Sequence, residues 1–110
     1  MPKHDVETPL LDLLTEMTTL ALERSSLDER SVVLTRIAAL AASDAPPPSY
    51  ALNIGAAEDL KIHAEEIRGV LVAIAPVVGT ARIVAAIRNI ATVSALNLKD
   101  FAQAETGPTA

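Results

Sequence analysis

Apolar side chains recur every three or four residues along most of this chain, the spacing that places them on one face of an α-helix. The first such segment follows Thr8, a cap residue, and Pro9, at the first helical position, and it runs to about Glu23. Its apolar face comprises Leu10, Leu13, Leu14, Met17, Leu20 and Ala21. We expect this face to pack against the helices that follow.

A second helix is predicted from Ser26 to about Ala42. Ser26 and Glu29 have the spacing of a capping box, in which the two residues satisfy each other's free backbone N–H groups. The apolar face of this helix comprises Val33, Leu34, Ile37, Leu40 and Ala41. The prolines at 46–48 follow, and each of them disfavours helical backbone in the residue before it.

Ser49 can cap a third helix, from about Tyr50 to Leu60, and the spacing places Leu52 and Ala56 on its apolar stripe with Leu60. A short turn then leads into the fourth helix.

The fourth helix is predicted to begin at Ala64. His63 stands at the cap position, with Glu66 three residues later. We expect this helix to end near Ala75, because Pro76 and Gly79 bend or break it.

The fifth helix, Thr80 to about Leu98, is apolar around much of its circumference, so more than one neighbour must bury it. Ile83, Ile87 and Ile90 form one stripe. This stripe is a candidate subunit interface.

No alternating strand pattern occurs, so the chain is predicted to be all-α, with about five helices in an antiparallel bundle. One helical domain, 9–98, is expected between flexible ends, 1–8 and 99–110. Half of the residues are hydrophobic (50 %), but Tyr50 and Phe101 are the only aromatic residues. A core of small aliphatic side chains buries little apolar area per residue. The composition therefore predicts a homo-oligomer, because association buries more surface.

Charge and composition exclude several classes of function. The net charge of −5 argues against a nucleic-acid or anionic-membrane partner. The chain has no cysteine, which excludes disulfides and thiolate chemistry. His4 and His63 are far apart, and metal sites need three or four ligands, so we expect neither metal nor cofactor. Without a signal peptide or a membrane-spanning run, the expected location is cytoplasmic.

Three segments of the chain carry a resemblance to a known family. They are LDERSVVLTRIAALAA (27–42), YALNIGAAEDL (50–60) and EEIRGVLVAIAPVVGTARIV (65–84). With the closing Ala-rich helix, this pattern resembles the carboxymuconolactone decarboxylase-like family, which includes the alkylhydroperoxidase-like proteins. The opening PLLDLLTEMTTLAL looks like a short actinobacterial-type branch of that family. The resemblance implies an all-helical fold that assembles as a homo-trimer or hexamer.

The resemblance also implies a position for each catalytic residue, and here those positions hold inert side chains. Active peroxidase members carry a Glu on the second helix and Cys-x-x-Cys-x-x-x-His before and within the third. Val33, Pro46, Ser49 and Asn53 fall at these positions. Thiol peroxidase activity is therefore excluded, because serine without a base cannot replace a thiolate. Ser49, Asn53 and Arg82 are left as a remnant pocket.

Three hypotheses follow. The first is a homo-oligomer with a structural or small-ligand-binding role and no enzymatic site. The second is a lyase or isomerase of a lactone or small organic acid, with Arg82 holding a carboxylate. An open, partly polar pocket at Arg82 and Asn53 would support it, and a pocket collapsed onto Val33, Leu52 and Ile74 would count against it. The third is an engineered self-assembling scaffold, larger than the trimer, in which the isoleucine stripe makes a second contact.

Overall fold

The computed structural model describes residues 8–94, which form five α-helices and no strand. The helices are α1 (Pro9–Arg24), α2 (Glu29–Ala42), α3 (Pro47–Asp59), α4 (Ala64–Val78) and α5 (Thr80–Val93). The predicted all-α class and the number of helices are confirmed for this part of the chain. The expected flexible ends, the fifth helix beyond residue 94 and the aromatic residue Phe101 lie outside the described residues.

Contacts divide the chain into two units, Met1–Val32 and Val33–Ala110. The hydrophobic core belongs to the second unit. Its buried members are Val33, Ile37, Ala41, Ala45, Tyr50, Ile54, Ala57, Ile62, Ile67, Leu71, Ala86 and Ile90. Tyr50 is the one aromatic side chain among them. Within this unit, α5 packs against both α3 and α4, which agrees with its apolar circumference.

The first unit differs, because none of the residues of α1 is buried. Leu10 is 65 % exposed, and Leu20 at the other end of the same face is still 44 % exposed. The apolar face predicted for α1 is therefore exposed, and its packing on the following helices stays a prediction. The hydrophobic spacing predicted the helix correctly. It cannot predict what the helix packs against, because the period shows only that one face is apolar.

Asp28, rather than Ser26, caps α2. The Asp28 carboxylate accepts hydrogen bonds from the Ser31 backbone N–H (3.1 Å) and from the Ser31 hydroxyl (2.7 Å). These two bonds hold the pKa of Asp28 below its usual value. The cap thus lies two residues after the predicted Ser26, because an aspartate at position 28 supplies a charged acceptor next to the first turn.

The predicted cap of α4 is confirmed. His63 is the N-cap residue, and the Glu66 carboxylate accepts a hydrogen bond from the His63 backbone N–H at 3.0 Å. This helix is longer than expected, since it continues through Pro76 to Val78. A proline removes only one helical hydrogen bond, and here it does so in the last turn.

Gly79 joins α4 directly to α5. Its N–H donates to the Ala75 carbonyl (2.9 Å), and its own carbonyl accepts from the Ile83 N–H (3.2 Å). The backbone turns at a φ of 98°, which disfavours any residue with a Cβ.

The other two turns of the second unit share one motif. At the end of α2, the Asp44 N–H donates to Ala41 and the Ala45 N–H donates to Leu40, at 3.2 and 3.0 Å. This pair of bonds is a Schellman motif, in which the pivot residue is left-handed and usually glycine. Asp44 occupies the pivot with a φ of 57°.

The end of α3 repeats this arrangement around Lys61, whose φ is 62°. The Lys61 N–H donates to Glu58 (3.1 Å) and the Ile62 N–H donates to Ala57 (2.9 Å). Ile62 and Ala57 are both buried, the apolar contact that accompanies this motif.

Candidate functional site

The polar positions predicted on the third helix lie on its outer face. α3 buries Tyr50, Ile54 and Ala57, whereas Ser49 is exposed and Asn53 is half-buried. Leu52 is 63 % exposed, so its predicted place on the buried stripe is wrong. The stripe was misjudged because α3 has small or apolar residues on nearly every side, and its hydrophobic pattern therefore does not single out one face.

Arg82 makes a structural contact. Its guanidinium Nη1–H donates to the carbonyl oxygen of Ala42, the last residue of α2. The terminal carbonyl groups of a helix have no partner within that helix and carry partial negative charge. Arg82 therefore acts as a side-chain cap on the carboxyl end of α2.

Asn89 supports the same segment from two helical turns further along α5. Its Nδ2–H donates to the carbonyl oxygen of Ala45 at 3.1 Å, in a partly buried position. Arg82 and Asn89 thus hold the two ends of the turn that pivots on Asp44. Sequence reasoning missed Asn89, although a polar residue seven positions after Arg82 on a largely apolar helix was a usable signal.

The remnant pocket of Ser49, Asn53 and Arg82 stays a prediction. Among the described residues, no hydrogen bond links Ser49 or Asn53 to Arg82. Of the three residues named for a collapsed pocket, Val33 is buried in the core cluster, Ile74 packs against that cluster, and Leu52 is exposed.

The isoleucine stripe of α5 belongs largely to the core. Ile90 is 0 % exposed, and Ile83 and Ile87 are partly buried against the core cluster. Ile90 therefore offers no surface to a second copy, and its assignment as an interface candidate is corrected. The stripe looked unpartnered because the sequence does not show that α3 and α4 both pack on this helix.

Among the described core residues, Tyr50 is the one whose side chain has a proton that titrates in water. It is 0 % exposed, and its hydroxyl forms no hydrogen bond with a described residue. Burial raises the pKa of Tyr50, and the negative charge of Asp44 raises it further. A hydroxyl enclosed by the core has no access to a substrate.

The described residues hold little other chemistry. No cluster of His, Asp or Glu among them could bind a metal ion, and His4 lies outside this part of the chain. No helix in residues 8–94 has the length and hydropathy needed to cross a membrane.

A surface depression of about 360 Å³ is lined by Thr15, Glu16, Thr19, Leu20 and Glu23. The two threonine hydroxyls donate to the α1 backbone, so they are already engaged.

Comparisons with protein-family models, with curated proteins and with solved structures find no match to this chain.

Proposed function

We propose that this chain is a homo-oligomeric protein of the carboxymuconolactone decarboxylase-like type that has a structural role and no catalytic site. The observation that carries the proposal is the hydrogen bond from Arg82 to the end of α2. In the competing enzyme, this guanidinium would hold the carboxylate of a small acid. In this protein the guanidinium instead caps the carboxyl end of α2.

The rest of the predicted site supports the same conclusion. A lyase or isomerase needs a group that moves a proton at the substrate. Ser49 is exposed and Asn53 is half-buried, neither side chain is itself a base, and Tyr50 is enclosed in the core. The residues at the family's catalytic positions therefore provide neither a nucleophile nor a general acid.

The case for a homo-oligomer depends on surface composition. Large apolar side chains are exposed on the second unit as well as on α1. They are Leu52, Val72, Val77 and Val84, and Val77 is 88 % exposed. Scattered apolar residues are normal on a monomer, but this number in a small chain with an aliphatic core favours association. A trimer or hexamer is the assembly that the family resemblance implies.

The test combines the native mass with an activity assay. Light scattering on a sizing column should give the mass of a trimer or hexamer. Peroxide and lactone substrates should not be consumed above the rate without protein. Turnover that disappears in Asn53→Ala, with the native mass unchanged, would overturn the structural role. A larger assembly would favour the scaffold hypothesis, and a monomer would contradict the proposal.

A further inference from the structure

We propose that α1 is an oligomerisation element that packs in parallel against α1 of a second copy of the chain. This inference deepens the proposed homo-oligomer, on which it rests, by naming one of its contacts. Its starting point is that α1 is a helix of sixteen residues that has an apolar face and buries none of it. A short helix of this kind gains most of its stability from packing, because isolated helices of about 15 residues are marginal in water.

The exposed side chains of α1 have the spacing of a coiled-coil seam. Leu10, Leu13, Met17 and Leu20 are separated by three, four and three residues, which assigns them to positions a, d, a and d of the heptad abcdefg. Each of them is between 44 and 65 % exposed. Leu14, at position e, is also exposed and widens the seam. A second copy of the same helix supplies the holes into which these side chains can pack as knobs.

The flanking charges favour a parallel pair. With this register, Glu16 and Glu23 occupy the g positions, and Leu14 and Ala21 occupy the e positions. In a parallel pair each g position faces an e position, so no like charges meet across the seam. An antiparallel pair would bring g positions together and place Glu16 near its counterpart. Parallel and antiparallel pairs both close around a twofold axis, so the charges decide the orientation; of the two proposed assemblies, the hexamer provides such an axis.

Charge also favours a second copy over a lipid surface. Helices that lie on anionic membranes have a polar face rich in lysine and arginine. The described polar residues of α1 include Asp12, Glu16 and Glu23 but only one cation, Arg24. The whole chain carries a net charge of −5. A negatively charged lipid surface would therefore repel this helix.

The size of the seam predicts its strength. A helix of this length extends about 24 Å. One helical face of that length falls short of the roughly 800 Å² per partner that standard interfaces bury. The α1 contact should therefore be weak alone, so its contribution to the native mass should depend on protein concentration.

The test compares Leu13→Glu, on the seam, with Thr15→Glu, which places the same charge on the opposite side of α1. We expect Leu13→Glu to weaken self-association by at least roughly tenfold, since a buried charge would face its counterpart. Thr15→Glu should keep the wild-type mass across a dilution series. Circular dichroism should show that both variants keep a cooperative thermal transition, because Leu13 is not buried in the core, although the loss of association lowers the midpoint for Leu13→Glu. Global unfolding of Leu13→Glu alone would place Leu13 in the core and overturn the proposal.

Because the chain has no cysteine, single-cysteine variants test the orientation directly. Leu13→Cys should form an intermolecular disulfide on mild oxidation, and Thr15→Cys should not. If the wild type is oligomeric but Leu13→Glu leaves its mass unchanged, the α1 seam is wrong and the proposed homo-oligomer stands. If the wild type is monomeric at every concentration, both the α1 seam and the proposed homo-oligomer are wrong. Sedimentation of the wild type, but not of Leu13→Glu, with phosphatidylcholine vesicles would identify lipid as the occupant and overturn the proposal.

Discussion

The clamp between α5 and the end of α2 makes the sharpest prediction about this fold. Arg82 and Asn89 both donate to backbone carbonyl groups, of Ala42 and Ala45. If these contacts are structural, replacing either residue by alanine destabilises the protein without any ligand present. If Arg82 instead serves a ligand, Arg82→Ala leaves stability unchanged and abolishes binding.

The magnitudes follow from the burial of each bond. Ala45 is buried and the Asn89 bond is partly buried, so Asn89→Ala leaves a carbonyl poorly solvated and should cost about 1–2 kcal/mol. Arg82 is exposed, so water screens and partly replaces its bond. Arg82→Ala should therefore cost less, about 0.5–1 kcal/mol.

Urea unfolding followed by circular dichroism measures these differences, with the protein concentration held constant because association shifts apparent stability. Arg88→Ala is the matched control: Arg88 is an exposed arginine on the same helix, and this substitution should stay within about 0.5 kcal/mol of the wild type. The structural role would be refuted if Arg82→Ala and Asn89→Ala both matched Arg88→Ala in stability. Loss of binding to a lactone or small acid in Arg82→Ala alone would establish the ligand role instead.

Two further predictions concern the core and a turn. Tyr50→Phe should raise stability at neutral pH by about 1 kcal/mol, because it removes a buried hydroxyl that has no partner among the described residues. The pKa of Tyr50 is raised in the folded state, so its protonated form contributes stability that is complete below a pH of about 10 and is lost as the pH rises through the folded pKa. Alkaline unfolding should show this loss in the wild type and not in Tyr50→Phe, and a destabilised variant would reveal a partner for the hydroxyl. Lys61→Gly should stabilise the end of α3 by about 0.5–1 kcal/mol, because glycine relieves the left-handed strain at the cost of some chain entropy. Thermal unfolding of both variants should show a smaller gain for Asp44→Gly than for Lys61→Gly, since aspartate tolerates this backbone region. An equal gain would contradict the reasoning.

The helices of this chain could be predicted because their signals are local. Apart from α3, the helices have an apolar period of three to four residues, and helix starts are marked by a cap residue or a proline. The cap of α4 by His63 and Glu66 was predicted correctly because both residues lie within one turn. The cap of α2 was misplaced because Ser26 and Asp28 are both competent caps, and only the backbone path decides between them.

The candidate site could not be predicted in the same way, because it depends on which helices meet. The sequence shows that Arg82 is a cation among apolar residues. Such a cation can bind an anionic ligand or can cap the carboxyl end of a helix, and the sequence does not distinguish the two. The end of α2 lies forty residues earlier in the chain, and only the fold brings the two together. The apolar face of α1 posed the opposite problem: its pattern is typical of a buried helix, yet α1 buries none of its residues.

The exposure of every α1 side chain to at least a partial degree has a consequence for how this protein can change over evolutionary time. All members of the core cluster lie between Val33 and Ile90, whereas α1 ends at Arg24. Substitutions in α1 are therefore largely free of the constraint that packing imposes on the rest of the chain. A lineage could acquire, exchange or discard partners through changes in this one helix while the remaining helices keep their sequence, so its quaternary structure could diverge faster than its fold.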